Sequence, residues 1–484
     1  MQRIAIIGGG AAGAATVGEF LRGGGSNPVA LTWVVGRRAP GRGVAYATRN
    51  DQHLLNVRTA NMGLFVDDTG GLLRFAKTRG LAAEATGFLP RAVFGDYVES
   101  TLAQLMSSHA TGCTIDVHST EATALHPRAG GGYHVRAESG AMLSVDAVVL
   151  AIGAPPPVAL PQVGAETVAG SGYLLDPWNL PRLAQVPRRV IVLGSGLTAA
   201  DVVLSVASAW PDAQIVALSR HGCLPAAHRT EPCASYVHQA GLVDALRAQP
   251  DARRWLRLIR ATVSVEGSDW RSVIDSIRPA TVGLWQSLDS TQRRRFLRHA
   301  RWLWELARHR MPPQTAEAIE QLREEGRLEL VAGRVHRIEG QAPLAVTFRR
   351  RDDGTAHTLL GDLVIQATGF QAATVRTPHR LMRQLLATGL VRIDPLELGL
   401  ETTADGRPLS ANGSATPDLR VIGALLRGAL WECTALPEIR ATAAKLAREL
   451  AADLRRRHAP DVHPPRSCDR GPRYNDMSIH QFDA

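Results

Sequence analysis

The chain is almost without lysine: of its 55 basic residues only Lys77 and Lys445 are lysines, the rest being arginine. Set against 45 acids, this leaves a formal net charge of +10. Arginine presents a planar fork of donors suited to phosphate. The basic balance therefore admits anionic cofactors, anionic substrates or nucleic acid and selects none of them. Cysteine is also scarce. The five thiols, Cys113, Cys223, Cys233, Cys433 and Cys468, include no C-x-x-C pair, which excludes a redox disulfide of the thioredoxin-reductase kind and a cysteine-based zinc site. An odd, sparse set fits a reducing compartment. No uncharged apolar run approaches the roughly 20 residues of a membrane helix, and "AVVLAIGAPPPVALP", the nearest, is broken by its prolines. The first core strand begins at about Arg3, leaving no room for a signal peptide. These absences predict a cytoplasmic protein with no membrane partner. With 484 residues, 45% of them hydrophobic, the chain is long enough for two or three domains with cores.

What is present is a pair of nucleotide fingerprints. "RIAIIGGGAAGAA" reads as a strand running into Gly8-x-Gly10-x-x-Gly13 and a helix, and "RRVIVLGSGLTAADVV" repeats the pattern at Gly194-x-Gly196-x-x-Ala199. In such a turn the first glycine permits the tight bend, the second lets backbone approach a pyrophosphate, and the third packs helix on strand. The helix N-terminus then faces the phosphates with unpaired N–H groups. The second strand of the second unit ends at Ser219-Arg220-His221, where an arginine accommodates the 2′-phosphate of NADP, so Gly194, Gly196, Ser219 and Arg220 are assigned to NADPH. The first unit lacks something. At the end of its second strand, in "LTWVVGRRAPGRG", the acid that holds an adenosine ribose is absent, and Gly36, Arg37 and Arg38 stand there instead. Two nucleotide units in one chain suggest NADPH feeding a flavin.

The rest of the chain sorts around these units. Residues 41–68 read as an extended loop over a site, helical patterning returns at 70–108, and 112–140 alternate like a hairpin or small sheet. The strand "DAVVLAIGAPPP" closes at Gly153, a boundary signal. Residues 234–325 turn helical and rich in Trp and Arg. The segment 291–310 carries seven arginines with Trp302 and Trp304 between them, yet Phe296, Leu297, Ala300, Leu303 and Ala307 recur at helical spacing. An amphipathic helix with a solvated arginine face is thus the preferred reading over a nucleic-acid grip. The predicted architecture is α/β: two nested Rossmann-like dinucleotide-binding domains, for FAD and NADPH, with a helical insertion. Its segments are 1–158 (FAD domain, first part), 159–233 (NADPH domain, first part), 234–325 (insertion), 326–366 (NADPH domain return), 367–458 (FAD domain, second part) and 459–484 (a tail rich in Pro, Arg and Asp, expected to be disordered).

The two fingerprints, the "QATGF" strand ending at Gly369-Phe370 and the terminal Gly423 segment resemble the two-dinucleotide flavoprotein fold of flavin-containing monooxygenases and flavin N-hydroxylases. "HLLNVRTANMGLFVDD", "LLDPWNLP", "LSRHGCLP", "LARHRMPP" and "LLRGALWECTALPEIR" look like the bacterial FAD/NAD(P)-binding oxidoreductase family, a group that includes the nitrosuccinate-forming aspartate N-oxygenase. The resemblance, spanning residues 3 to about 450, implies that Gly8, Gly10 and Gly13 hold the FAD pyrophosphate. It places Asn56, Arg58, Asn61 and Met62 beside the isoalloxazine, and Gly369 and Gly423 at the strand ends that return the chain to the flavin domain. It further implies NADPH reduction of FAD, addition of O₂ to give a flavin C4a-hydroperoxide, and N-hydroxylation of a small amine or amino acid. Such chemistry requires no general base. Candidates for lining the site are Asn61, Arg58, His228, Arg229, His309 and Arg310, with Arg58 or Arg310 pairing a substrate carboxylate and Trp431-Glu432 near the flavin. Relatives carry Glu at the position of Gly36, so one set of charge-assisted hydrogen bonds, worth about 1.5–3 kcal/mol, is missing here. The intact C-terminal return segment still favours FAD at the first site over NADP. A reductase without oxygenation, a non-catalytic nucleotide- or nucleic-acid-binding protein, and a homo-oligomer all stay open at this level.

Overall fold

The computed structural model describes residues 1–23, 29–108, 112–181, 183, 185–265, 267, 269–369 and 377–458. The expected tail, 459–484, and Phe370 lie outside the described residues. The chain opens with β1 (Gln2–Ile7), whose last four residues are all buried, as expected of a strand covered on both faces. The helix Ala11–Arg22 follows, and its small residues Ala12, Gly13, Ala14 and Ala15 let it lie close on the sheet. β2 (Val29–Val34) and β3 (Thr114–His118) add in parallel beyond β1, while β7 (Ala147–Leu150) and β15 (Leu419–Val421) add in parallel on its other side. The order is β15-β7-β1-β2-β3, so the first and last strands of the chain share one sheet. The long helix Leu436–His458 completes this unit by packing on Ala11–Arg22.

Between β7 and β15 the chain builds a second sheet. It runs β13-β12-β11-β10-β9-β14-β8, from β8 (Tyr173–Leu174), β9 (Arg189–Leu193), β10 (Gln214–Ser219), β11 (Leu328–Glu339), β12 (Leu344–Arg350), β13 (Ala356–Gly361) and β14 (Leu363–Gln366). β8, β14, β9, β10 and β11 pair in parallel, and β12 and β13 form an antiparallel extension. The molecule is therefore an α/β pair of nested Rossmann-like units. A third, antiparallel sheet comprises β4 (Ala122–Pro127), β5 (Tyr133–Ala137) and β6 (Met142–Val145). The alternating stretch 112–140 thus divides: its first strand joins the parallel sheet and the remainder makes the small one.

Helices Gln239–Ala248, Ala252–Val263, Trp270–Ile277, Thr281–Ser287, Ser290–Arg295 and Arg301–Arg308 form an insertion between β10 and β11. The 291–310 segment departs from the single amphipathic helix expected. A π-turn over Phe296–Ala300 interrupts it, so that Phe296 and Leu297 pack toward Trp285 and Trp431 while Trp302 stacks on His221 at 4.1 Å. Its arginine face is only partly solvated, since Arg308 and Arg310 are 11% and 3% exposed. Among the described residues, no helix is long and apolar enough to cross a membrane.

Candidate functional site

The two glycine turns separate glycines that the fold itself requires from those it does not. A Cβ on Gly8 would lie 2.2 Å from the Ala151 carbonyl oxygen, one on Gly13 2.0 Å from that of Gly8, and one on Gly194 2.4 Å from that of Ala367. Gly8 and Gly194 also adopt φ of +125° and +127°, open to glycine but strained for other residues. The middle glycines are different. A Cβ on Gly10 would meet only the Gly43 Cα, at 3.7 Å, and one on Gly196 would meet nothing within 4 Å. No described residue crowds those spaces, which leaves them open to a close backbone approach by a ligand. Gly10 and Gly196 are the N-caps of Ala11–Arg22 and Leu197–Ala209, and neither helix has a side-chain cap or an acid in its first turn. Both N-termini keep N–H groups for an anion.

A cavity of about 770 Å³ lies between the units. At one end it is lined by Gly194, Gly196, Ser219 and Arg220. Ser195 Oγ and Ser219 Oγ are 2.8 Å apart, and the Arg220 side chain is exposed and forms no ion pair or hydrogen bond with described residues. Arg334 joins it from β11. The sequence reading missed this residue because it lies 114 positions beyond Arg220; the parallel pairing of Ser219 with Ala332 brings it alongside. The wall also includes Asn56 and Met62 of the first unit, Gly369 just beyond β14 and beside the Gly194 turn, and Ala424 and Trp431 beyond β15. Arg301, Glu305, Arg427 and Glu432 supply charge to the same wall, and His309 lies among them.

Residues 5–155 match a family model described as FAD-NAD(P)-binding. No curated protein matches the chain. Among solved structures it is similar to the ornithine N-hydroxylase of Kutzneria sp. 744, in its form with reduced FAD, NADP+ and L-ornithine, at 16% identity over 93% of this chain and 99% of that one, with a TM-score of 0.61. The L-lysine 6-monooxygenase of Pseudomonas syringae gives 18% identity over 93% and 99%, with a TM-score of 0.61. The bacillithiol disulfide reductase of Staphylococcus aureus gives 11% identity over 94% and 99%, with a TM-score of 0.55. The chain has the flavin N-hydroxylase fold.

Within this fold the expected site residues divide. Asn56 and Met62 line the cavity, whereas Arg58, Asn61 and Arg310 do not. Arg58 is a clamp: its guanidinium donates to the carbonyls of Thr86, Arg229 and Thr230, the last two at 2.8 and 3.0 Å, and its charge lies over the Phe88 ring. Arg310 is buried against Asp275 and donates to the Ala307 carbonyl at 3.0 Å. Both forks are thus spent on protein, which removes the reason for assigning them a substrate carboxylate. Asn61 is exposed, and its carbonyl accepts from Arg440 at 3.0 Å. Gly8 and Gly10 beyond β1, Gly13 in the helix Ala11–Arg22 and Gly423 beyond β15 are not among the residues lining the cavity. His309 lines the cavity with Nε2 3.9 Å from Glu432, and Trp304 donates to Glu432 at 2.8 Å.

Trp431 is the strained element of the wall. Its φ of +60° and ψ of −62° are sparsely populated for a side-chain-bearing residue, and such strain concentrates at functional sites. The ring is held by Trp285, stacked at 5.0 Å, by Phe296 edge-on at 5.2 Å and by the Arg427 guanidinium at 4.6 Å. Its buried indole N–H has no hydrogen-bond partner among the described residues.

Two histidines flank the cavity in neutral form. Burial pushes His53 down to about 4, with Arg91 adding to the effect, and pushes His228 down to about 4, with Arg310 adding. His53 Nε2 reaches Ser205 Oγ at 2.7 Å, and His228 Nε2 reaches the Asn56 carbonyl at 3.2 Å. The unfolded chain protonates these rings near 6.5, so stability present above that pH is lost as pH falls toward 4. Asp201, pushed up to about 6 by burial despite the opposing charge of Arg91, works the other way between 6 and its ordinary value. The expected result is a thermal midpoint that drops between pH 6.5 and 4. The His53→Gln, His228→Gln double variant is expected to drop less, and an equal slope in the two proteins would refute the assignment.

Proposed function

We propose that the protein is an FAD-dependent, NADPH-consuming monooxygenase that N-hydroxylates a small amine or amino acid. The observation that carries this reading is one cavity whose wall runs from the second glycine turn, with Arg220, to Asn56, Met62 and the strained Trp431. Gly8, Gly10 and Gly13 would hold the FAD pyrophosphate at the first helix N-terminus, with Gly369 and Gly423 at the returning strand ends. Gly194, Gly196, Ser219 and Arg220 would hold NADPH. Bound FAD would supply hydride acceptance and oxygen activation, and the chain's own residues bind, orient and exclude water.

For the substrate, Glu305 is shared by Arg301 at 2.8 Å and Arg427 at 3.0 Å. Burial works to raise its pKa, but Arg301 and Arg427 together hold its carboxyl below the ordinary range. Two arginines on one carboxylate leave a positive charge facing the cavity, suited to an amino-acid carboxylate. Glu432, buried beside His309, faces the same space and suits the amine. A thiol-disulfide route is disfavoured: burial pushes the Cys433 thiol up to about 12, away from the reactive thiolate.

The test is the visible spectrum of the purified protein with FAD, before and after NADPH under nitrogen, followed by air with and without amines. A flavin spectrum bleached by NADPH, and a hydrogen peroxide yield that falls as hydroxylated amine appears, is the expected result. Turnover of NADPH with an undiminished peroxide yield for every amine, or coupling to a ketone or thioether alone, would overturn it. Arg220→Ala is expected to raise the KM for NADPH about tenfold to a hundredfold, the worth of one charged hydrogen-bonding group. The KM for NADH is expected to stay unchanged, as measured by flavin reduction rates.

A further inference from the structure

The acid missing from the end of β2 has a counterpart one strand away. Gly36 lies two residues past the end of β2 with φ +78°, and a Cβ built on it would lie 2.9 Å from Glu121 Oε1, 3.5 Å from its Cδ and 3.7 Å from Oε2. An acidic side chain at position 36 would put its carboxylate one or two bonds beyond that Cβ, into the volume the Glu121 carboxylate already occupies. We propose that Glu121 supplies the carboxylate that binds the adenosine ribose hydroxyls of FAD at the first site. This rests on the FAD reading given above.

Three observations support it. First, position: in this class of sheet, ligands bind beyond the carboxyl ends of the strands. Glu121 lies just past the end of β3, as Gly36 lies past the end of β2, and the two ends are joined by Val35 N–H to the His118 carbonyl and Gly36 N–H to the Thr120 carbonyl, each at 3.0 Å. The glycine turn is adjacent, since a Cβ on Gly9 would lie 2.4 Å from the Val35 carbonyl oxygen. Second, preorganisation: Glu121 turns the chain from the parallel sheet into the small antiparallel one, and its own carbonyl accepts from Glu138 N–H at 2.8 Å. Third, the carboxylate is half-buried and forms no hydrogen bond or ion pair with a described residue. Arg37 and His379 act on this carboxylate through space without donating a hydrogen bond to it; burying a carboxylate that accepts no hydrogen bond is costly, and a pair of hydroxyl donors would offset that cost.

The same arrangement bears on the rival reading of the first site as an NADP site. Arg37 is committed to Glu138, with Nη2 2.9 Å from both carboxylate oxygens, and Arg380 approaches the same carboxylate at 3.4 Å. A 2′-phosphate would therefore meet the Glu121 carboxylate, with the exposed Arg38 and not Arg37 left to face it.

The experiment compares FAD with its 2′,3′-dideoxyadenosine analogue, titrated into apoprotein of the parent chain, Glu121→Ala and Glu121→Gln. The parent is expected to bind FAD about tenfold to a hundredfold more tightly than the analogue. Glu121→Ala is expected to bind both equally, at the parent's affinity for the analogue, with Glu121→Gln between. The proposal is overturned if Glu121→Ala binds FAD like the parent, or if it weakens FAD and analogue by the same factor, which would signal a structural role. An unchanged NADPH affinity and thermal midpoint in the variants reports that the fold is intact. A parent chain that binds neither flavin overturns the FAD reading itself, and that outcome is read from a separate arm.

Discussion

Gly10→Ala and Gly196→Ala are each expected to fold like the parent chain and to lose one nucleotide apiece. The new methyl at 10 makes only an ordinary contact, 3.7 Å from the Gly43 Cα, and the one at 196 meets nothing within 4 Å. Both residues have negative φ, −90° and −82°, which alanine adopts freely. Alanine is a poorer N-cap than glycine, by up to about 1 kcal/mol, and it recovers much of that by restricting the unfolded chain. The thermal midpoints should therefore stay within a few degrees of the parent. A bound pyrophosphate, however, would come against these backbones, and a methyl there holds it off the helix N–H groups. The loss of two charge-assisted hydrogen bonds, at about 1.5–3 kcal/mol each, amounts to at least about a hundredfold in affinity. Flavin fluorescence titration reads the first variant and the concentration dependence of flavin reduction the second. Gly8→Ala and Gly13→Ala are the contrast: their methyls would sit 2.2 and 2.0 Å from carbonyl oxygens, and both should fail to fold. If Gly196→Ala takes NADPH as the parent does, the second turn is not a phosphate loop.

Asp201→Ala should produce the largest loss of stability among changes outside the glycine turns. Arg91 opens the helix Arg91–Ser107 of the first unit, and Asp201 lies on the helix Leu197–Ala209 of the second; Arg91 Nη2 stands 2.8 Å from Asp201 Oδ2, with the two side chains 14% and 5% exposed. Removing one partner of a buried pair strands the other charge, at a cost of about 3–5 kcal/mol. His53 and Asn50 reach the same helix through Ser205, at 2.7 and 3.2 Å, so the loss falls on the junction between units. We expect a lower unfolding midpoint together with slower hydride delivery from NADPH to FAD, as the cavity loses its fixed width. An Arg91→Met, Asp201→Leu double variant should regain most of the stability, because an apolar pair of similar volume replaces a buried ion pair at little cost. Full stability in Asp201→Ala would show that the junction is held by packing alone.

The parts of this fold that were legible in the sequence are those with a local cause. The two strand-glycine-helix turns are encoded within about a dozen residues each, and the strands on either side are continuous apolar runs. The insertion was readable as helix from its periodicity, but its break at Phe296–Ala300 was not, since the aromatic contacts that reward a π-turn come from Trp285 and Trp431. The site was less legible for the same reason. Arg58 and Arg310 look like substrate ligands in a linear reading, and only the fold shows their forks already satisfied by Thr86, Arg229, Thr230 and Asp275. Arg334, Arg301 and Arg427 enter the cavity from segments distant in sequence. Glu121 is the sharpest case: it lies 85 positions after the glycine beside it, and only strand pairing makes the two neighbours.

Because β15 and the helix Leu436–His458 close the sheet that β1 opens, the two units mature in an order opposite to their order of appearance. A ribosome has delivered every strand of the second sheet by residue 366, while the first still lacks an edge and the helix that covers Ala11–Arg22. Long-range pairing of this kind is slow, and it leaves apolar surface uncovered while the chain waits for it. The nascent protein would therefore complete its second unit first. The first unit would be finished only when the last described helix arrives, so truncation near the C-terminus would strike the glycine turn that begins at residue 8.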